Sequence, residues 1–170
     1  DSQPAPSIVV MTVNANTLCK KGKRQIYMKS CAARNCFLVG IQEARAKKAG
    51  AFKDELYYRI YTAASNGSYG CELWIANKNP YAYTVVPENI SVIISEPRLL
   101  VVVVVFNSVK FLAIVAHAPW SKAQGCKEWR LDITERLPPL VAQHPNTVLM
   151  IDANTNLGAS QSDHGIGTCI

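Results

Sequence analysis

The chain has 170 residues, 49% of them apolar, and a formal net charge of +6. That length suits one domain with a sizeable core, and the apolar share argues against disorder except at the ends. Charged residues are 18%, below the usual quarter of soluble domains, and the positive balance favours an anionic partner, nucleic acid first.

Residues 1–7 are rich in Pro and Ser and read as frayed. Ile8 to Val13 is apolar and β-branched, a strand that Asn14-Ala-Asn16 closes. Lys20 to Arg34 is basic with Ile26, Met28, Cys31 and Ala32 interspersed, and reads as a helix. Phe37 to Gln42 is a strand buried on both faces, and 44–55 a basic loop or short helix. Tyr57 to Ala63 and Cys71 to Ala76 read as paired strands around the turn Ser65-Asn-Gly-Ser68. Ile90 to Ser95 is a strand. Leu99 to Phe106, with five consecutive valines, and Val109 to Ala116 form a hairpin about Asn107-Ser108. Lys127 to Val141 carries Trp129, Ile133, Leu137, Leu140 and Val141 at helical spacing, with a break expected at Pro138-Pro139. Thr147 to Ile151 is the last strand. This order fits a single α/β (α+β) domain over 1–170, with mixed sheets and helices outside.

No membrane association is expected, since the most apolar run, Leu99 to Phe106, is far short of the roughly 20 residues that span a bilayer. Six cysteines, at 19, 31, 36, 71, 126 and 169, contain no CxxC pair, and the three histidines are at 117, 144 and 164. A structural zinc site is therefore not expected. The opening Asp1-Ser-Gln-Pro lacks the pattern of a signal peptide, which points to free thiols in a reducing, nuclear or cytoplasmic compartment. The start without Met and the end at Cys169-Ile170 suggest a piece of a longer chain. No feature calls for an obligate protein partner.

Two apolar runs end in acids: Phe37 to Gln42 in Glu43, and Asn146 to Ile151 in Asp152. Carboxylates at strand ends on one rim can converge on a divalent metal, which points to phosphodiester chemistry. Glu43 is the foremost ligand candidate because it follows a buried strand directly. Asp152 and Asn154, two apart on an extended chain, share a face. The carboxylate could take a proton from water while the amide holds phosphate or nucleophile. Asn14 could orient a phosphate oxygen without adding charge, and Asn16 is the next candidate if the register slips. His117, at the end of a strand, could protonate a leaving oxygen or bind phosphate.

Four segments stand in order: Thr12-Val-Asn14-Ala-Asn16, Gly40-Ile-Gln42-Glu43, Ala116-His117-Ala118-Pro119 and Ile151-Asp152-Ala-Asn154. Together they resemble the endonuclease/exonuclease/phosphatase family, the DNase I-like fold, most of all the endonuclease domains of non-LTR retrotransposons. The resemblance implies a four-layered α/β sandwich, incomplete on its C-terminal side, and a phosphodiesterase dependent on Mg²⁺, with Mn²⁺ as a substitute. It implies Glu43 and Asn14 at the metal, His117, Asp152 and Asn154 in catalysis, and DNA as partner. Asn16, Arg45, Lys47 and Lys48 would contact DNA or its phosphates. Ile151 and Ala153 stand where the family commonly has Gly and Phe, and His117 where the retrotransposon branch often has Tyr.

The family also has a Ser-Asp-His motif well beyond its Asp-x-Asn strand. Ser162-Asp163-His164 follows Asn154 after only seven residues, too few for the intervening strands at roughly five residues each. It is read as a coincidence on a terminal tail, which would leave activity of this piece doubtful. Two alternatives remain open: a non-catalytic nucleic-acid-binding module, and an enzyme of the same fold acting on a lipid, inositol phosphate or nucleotide.

Overall fold

The computed structural model describes residues 8–78, 85–106 and 109–154. The turn expected at Asn107-Ser108, the motif Ser162-Asp163-His164 and Cys169 lie outside the described residues.

Two sheets form the centre of the molecule. The first has the order β1 (Val9–Asn14), β2 (Cys36–Gln42), β5 (Glu72–Ala76), β4 (Tyr57–Tyr61) and β3 (Gly50–Lys53). The second has the order β6 (Ile90–Glu96), β7 (Leu99–Phe106), β8 (Val109–His117) and β9 (Thr147–Asp152). Helix α1 (Lys23–Ala33) links β1 to β2, and α2 (Cys126–Gln143) links β8 to β9. Both linked pairs are parallel and adjacent, as a helical crossover requires. All other pairings are antiparallel.

The layers follow from side-chain alternation. In β7 and β8, Leu100, Val102, Val104, Ala113 and Val115 pack toward the first sheet. Leu99, Val101, Val103, Leu112, Ile114 and Ala116 pack with Trp129, Ile133, Leu137 and Leu140 of α2. Both faces of β7 are therefore covered, which is why its valine run has no polar alternation. On the outer face of the first sheet, Cys31 of α1 meets Met11 of β1, sulfur to sulfur, at 3.7 Å. The result is helix, sheet, sheet, helix.

Gly40 sets the spacing of the two sheets. A Cβ there would stand 2.6 Å from Cβ of Met150, so only glycine lets β2 and β9 approach this closely. Beside it the Gln42 amide, 1% exposed, donates to Thr12 Oγ1 and to the Met150 carbonyl, each at 3.0 Å. Burial leaves that amide no water, so these bonds hold the sheets in one register.

Two expectations are corrected. Residues 44–55 include a strand, β3, where a loop or short helix was expected. Its four residues are all exposed, so hydrophobic alternation is absent and pairing with β4 decides its form. Helix α2 runs through Pro138-Pro139 without a break. Both prolines and residues Thr134 and Glu135 are exposed, so the prolines lie on the solvent side of the helix, and Leu137 and Leu140 keep it on the sheet. The turn at 65–68 is as expected: Ser65 and Ser68 pair across Asn66 and Gly67, both with positive φ.

The five described cysteines are free. No helix among the described residues is long and apolar enough to cross a membrane.

Candidate functional site

The two parallel pairs end at the same rim. Asn14 is the last residue of β1 and pairs with Gln42, the last of β2, and Glu43 follows. His117 is the last residue of β8 and pairs with Asp152, the last of β9. The carboxyl ends of parallel strands are where open α/β sheets place ligands.

Side chains join across the two sheets there. Asn14 Nδ2 donates to Asp152 Oδ2 at 2.6 Å. His117 Nε2 lies 3.6 Å from Glu43 Oε1 and 4.0 Å from Asp152 Oδ2, so the two carboxylates face each other across one ring nitrogen. Asn154 donates its backbone N–H to Asp152 Oδ1 at 3.1 Å. Its Nδ2 donates to the Ala118 carbonyl at 2.8 Å and lies 3.0 Å from His117 Nε2. The bond to Ala118 assigns the orientation of the Asn154 amide, so Nε2 of His117 acts as acceptor and the neutral ring carries its proton on Nδ1. Asn154 Oδ1 is then the atom left to accept from a ligand.

A second chain of contacts forms the neighbouring wall. Arg45 Nη2 pairs with Glu43 Oε2 at 2.8 Å and reaches Asn16 Oδ1 at 3.3 Å. Asn16 N–H donates to Asn14 Oδ1 at 3.0 Å. Lys47 and Lys48 are exposed beyond Arg45, and no hydrogen bond or ion pair among the described residues joins them to this cluster.

His117 is 3% exposed. Burial, and then the neighbouring Arg98, hold the imidazole below its usual range, outweighing the upward pull of Glu43 and Asp152. The ring is therefore neutral at neutral pH, and burial opposes the proton that a leaving-group acid would carry. Its Nδ1 is buried without a hydrogen-bond partner.

The backbone is strained around the same rim. Asn16, Thr17, Glu43, Arg45, Tyr69 and Asn154 all have positive φ, a region that side chains, and β-branched Thr17 above all, rarely adopt. Backbone bonds hold these turns in place. Thr17 N–H donates to the Glu43 carbonyl at 2.7 Å, and Arg45 N–H to that of Tyr69 at 2.9 Å.

Sequence reasoning missed three contributors. Gln42 was readable, as the polar residue inside an otherwise apolar buried strand. Arg98 and Tyr69 left no local signal. The Arg98 guanidinium lies 3.6 Å from the centre of the Tyr69 ring and donates to the His117 carbonyl at 3.0 Å.

The donors suit a hard cation. Glu43, Asp152 and the amides offer oxygen, and no group of three or more His, Cys, Asp or Glu side chains that could hold a metal ion is found among the described residues. One or two carboxylates with the remaining positions left to water and phosphate is the usual pattern for Mg²⁺.

No family model and no curated protein sequence matches the chain. Solved structures do. The endonuclease domain of TRAS1, a telomere-specific non-LTR retrotransposon, superposes with a TM-score of 0.57 at 16% identity, over 88% of this chain and 62% of that one. A 3′ phosphatase from Neisseria bound to a product DNA hairpin gives 0.58 at 13%, over 92% and 61%. An AP endonuclease from Archaeoglobus fulgidus gives 0.54 at 15%, over 86% and 57%. The chain thus spans less than two thirds of each of these three. With its two sheets, two outer helices and shared rim, it has the endonuclease/exonuclease/phosphatase, or DNase I-like, fold.

Proposed function

We propose that the chain is the catalytic part of a Mg²⁺-dependent nuclease that cleaves phosphodiester bonds in DNA, of the kind carried by a retrotransposon-like element. The observation that carries this reading is the meeting of Glu43 and Asp152 at His117 Nε2, at 3.6 and 4.0 Å, on the rim where four strands end. The likeness to DNA-acting enzymes of the same fold supports it.

Glu43, with Asn14 beside it, would hold the Mg²⁺, which supplies neutralisation of phosphate charge when bound. The chain's own groups do the rest. Asp152 is oriented at both oxygens, by Asn14 and by the Asn154 backbone, and keeps lone pairs that can accept a proton from an attacking water. Asn154, its amide nitrogen committed to Ala118 and His117, presents Oδ1 to position that water. Neutral His117 fixes Asn154. Arg45 places positive charge where a phosphate backbone would pass. Asn16, its Oδ1 accepting from Arg45, would offer its amide N–H₂ as a donor there, and the exposed Lys47 and Lys48 extend that track.

Plasmid nicking by the full-length protein tests the reading. Nicking should require Mg²⁺ or Mn²⁺, and Glu43→Gln and Asp152→Asn should each reduce it by roughly 10²-fold or more. Undiminished nicking in both variants, or none by the parent, would overturn it.

A further inference from the structure

We infer that Trp120 is a base-stacking residue that selects DNA with an unstacked base beside the scissile phosphate, an inference that rests on the nuclease reading above. Trp120 is 63% exposed, more than any other aromatic side chain among the described residues. The other two tryptophans serve the core: Trp74 is fully buried and Trp129, on α2, packs onto the second sheet. A single exposed apolar residue is ordinary on a protein surface. Trp120 differs in where it stands and in how firmly its backbone is held.

Its loop leaves the site directly. Ala118 donates its N–H to the Asp152 carbonyl at 2.9 Å and accepts Asn154 Nδ2 at 2.8 Å. Trp120 follows two residues later, a span of at most about 7 Å. Pro119 restricts the backbone between them, and its carbonyl receives the Cys126 thiol at 3.7 Å. The Trp120 carbonyl receives Ala123 N–H at 2.8 Å. Lys122 and Lys127 are exposed just beyond. An indole on a fixed perch, with cations beside it, is the pairing that holds unpaired nucleotides: the ring takes a base face and the lysines take phosphates. In a continuous duplex both faces of each base are already stacked, so the indole gains its partner only where a base is unpaired or terminal.

The test is fluorescence anisotropy with a labelled single strand and a duplex of the same sequence, in EDTA so that nothing is cleaved. The parent, Trp120→Ala and Trp120→Phe are compared, with melting curves to verify folding. Trp120→Ala should weaken single-strand binding by roughly 5- to 150-fold, the loss expected for one stacked base, and change duplex binding less than twofold. Trp120→Phe should restore most of the loss. Unchanged single-strand binding in Trp120→Ala, or an equal loss on both substrates, would overturn the inference while leaving the nuclease reading to stand on nicking. A parent that binds neither substrate and nicks no plasmid would remove both.

Discussion

Asn14 Nδ2 donates to Asp152 Oδ2 at 2.6 Å, joining the last residue of β1 to the last residue of β9 and so one sheet to the other. The contact works because an amide brings a donor and no charge. Asn14→Asp would put two carboxylates at hydrogen-bond distance, and both cannot remain ionised there without a large penalty. That penalty grows as pH rises above about 4, where free carboxylates lose their protons. Asn14→Asp should therefore melt below the parent at pH 7.5, with the gap closing toward pH 5. Thermal denaturation across that range checks it, and a gap independent of pH would show that the two groups do not meet.

Gly40 offers a second test of how the sheets meet. With Cβ of Met150 2.6 Å from where a Cβ would stand, Gly40→Ala should cost about 1–3 kcal/mol in urea denaturation, the usual range for overpacking. Met150→Gly in the same chain should recover part of that loss, since it removes the Cβ, Cγ and Sδ that a Cβ at position 40 would meet, and the pair should be non-additive. A neutral Gly40→Ala would mean that the sheets can separate without penalty.

Much of the rim was legible because its residues end strands. An apolar run that stops at Glu43 or Asp152 marks both the strand and the place where it leaves the core. Asn14 and His117 end strands as well, while Asn154 stands two residues beyond the end of β9. It was the family resemblance that singled out His117 and Asn154, and the structure brings all five together. The partners that set their state were not legible. Arg98 and Tyr69 sit in separate segments and meet through long-range packing. Burial of His117, which decides its protonation, depends on neighbours from both sheets. β3 was hidden because its exposed residues show no alternation. The unbroken α2 was hidden because the sequence does not show that Pro138 and Pro139 face solvent. Lys47 and Lys48 read as a basic cluster, and in the structure they are solvent-exposed residues outside the hydrogen-bonded site.

The depressed imidazole of His117 predicts a pH dependence of stability. Its folded pKa lies below the ordinary 6.5, so below that pH the unfolded chain binds a proton that the folded chain resists. Stability is fully present above about 6.5 and falls as pH drops through the folded value. His117→Gln should flatten that part of the profile, whatever its effect on stability at pH 8. Denaturation midpoints from pH 8 to 5 provide the measurement, and an identical acid limb in both proteins would assign the loss to other groups.

The last prediction separates the cation from the chemistry. Glu43 Oε2 is held by Arg45 at 2.8 Å while Oε1 faces His117, so Arg45 competes with any cation for the same carboxylate. In the absence of DNA, Mg²⁺ should raise the melting temperature of the parent, because a ligand that binds only the folded state stabilises it, by about 2.7 kcal/mol at a hundredfold excess over Kd. Glu43→Gln should abolish that rise. Arg45→Gln frees the carboxylate and should bring the midpoint of the Mg²⁺ titration to lower concentration, while weakening binding to DNA through the lost phosphate contact. Opposite shifts for Mg²⁺ and DNA in one variant would assign Arg45 a double role, neutralising Glu43 in the resting site and turning to phosphate when the cation takes its place. Equal weakening of both would show instead that Arg45 only holds the loop in shape.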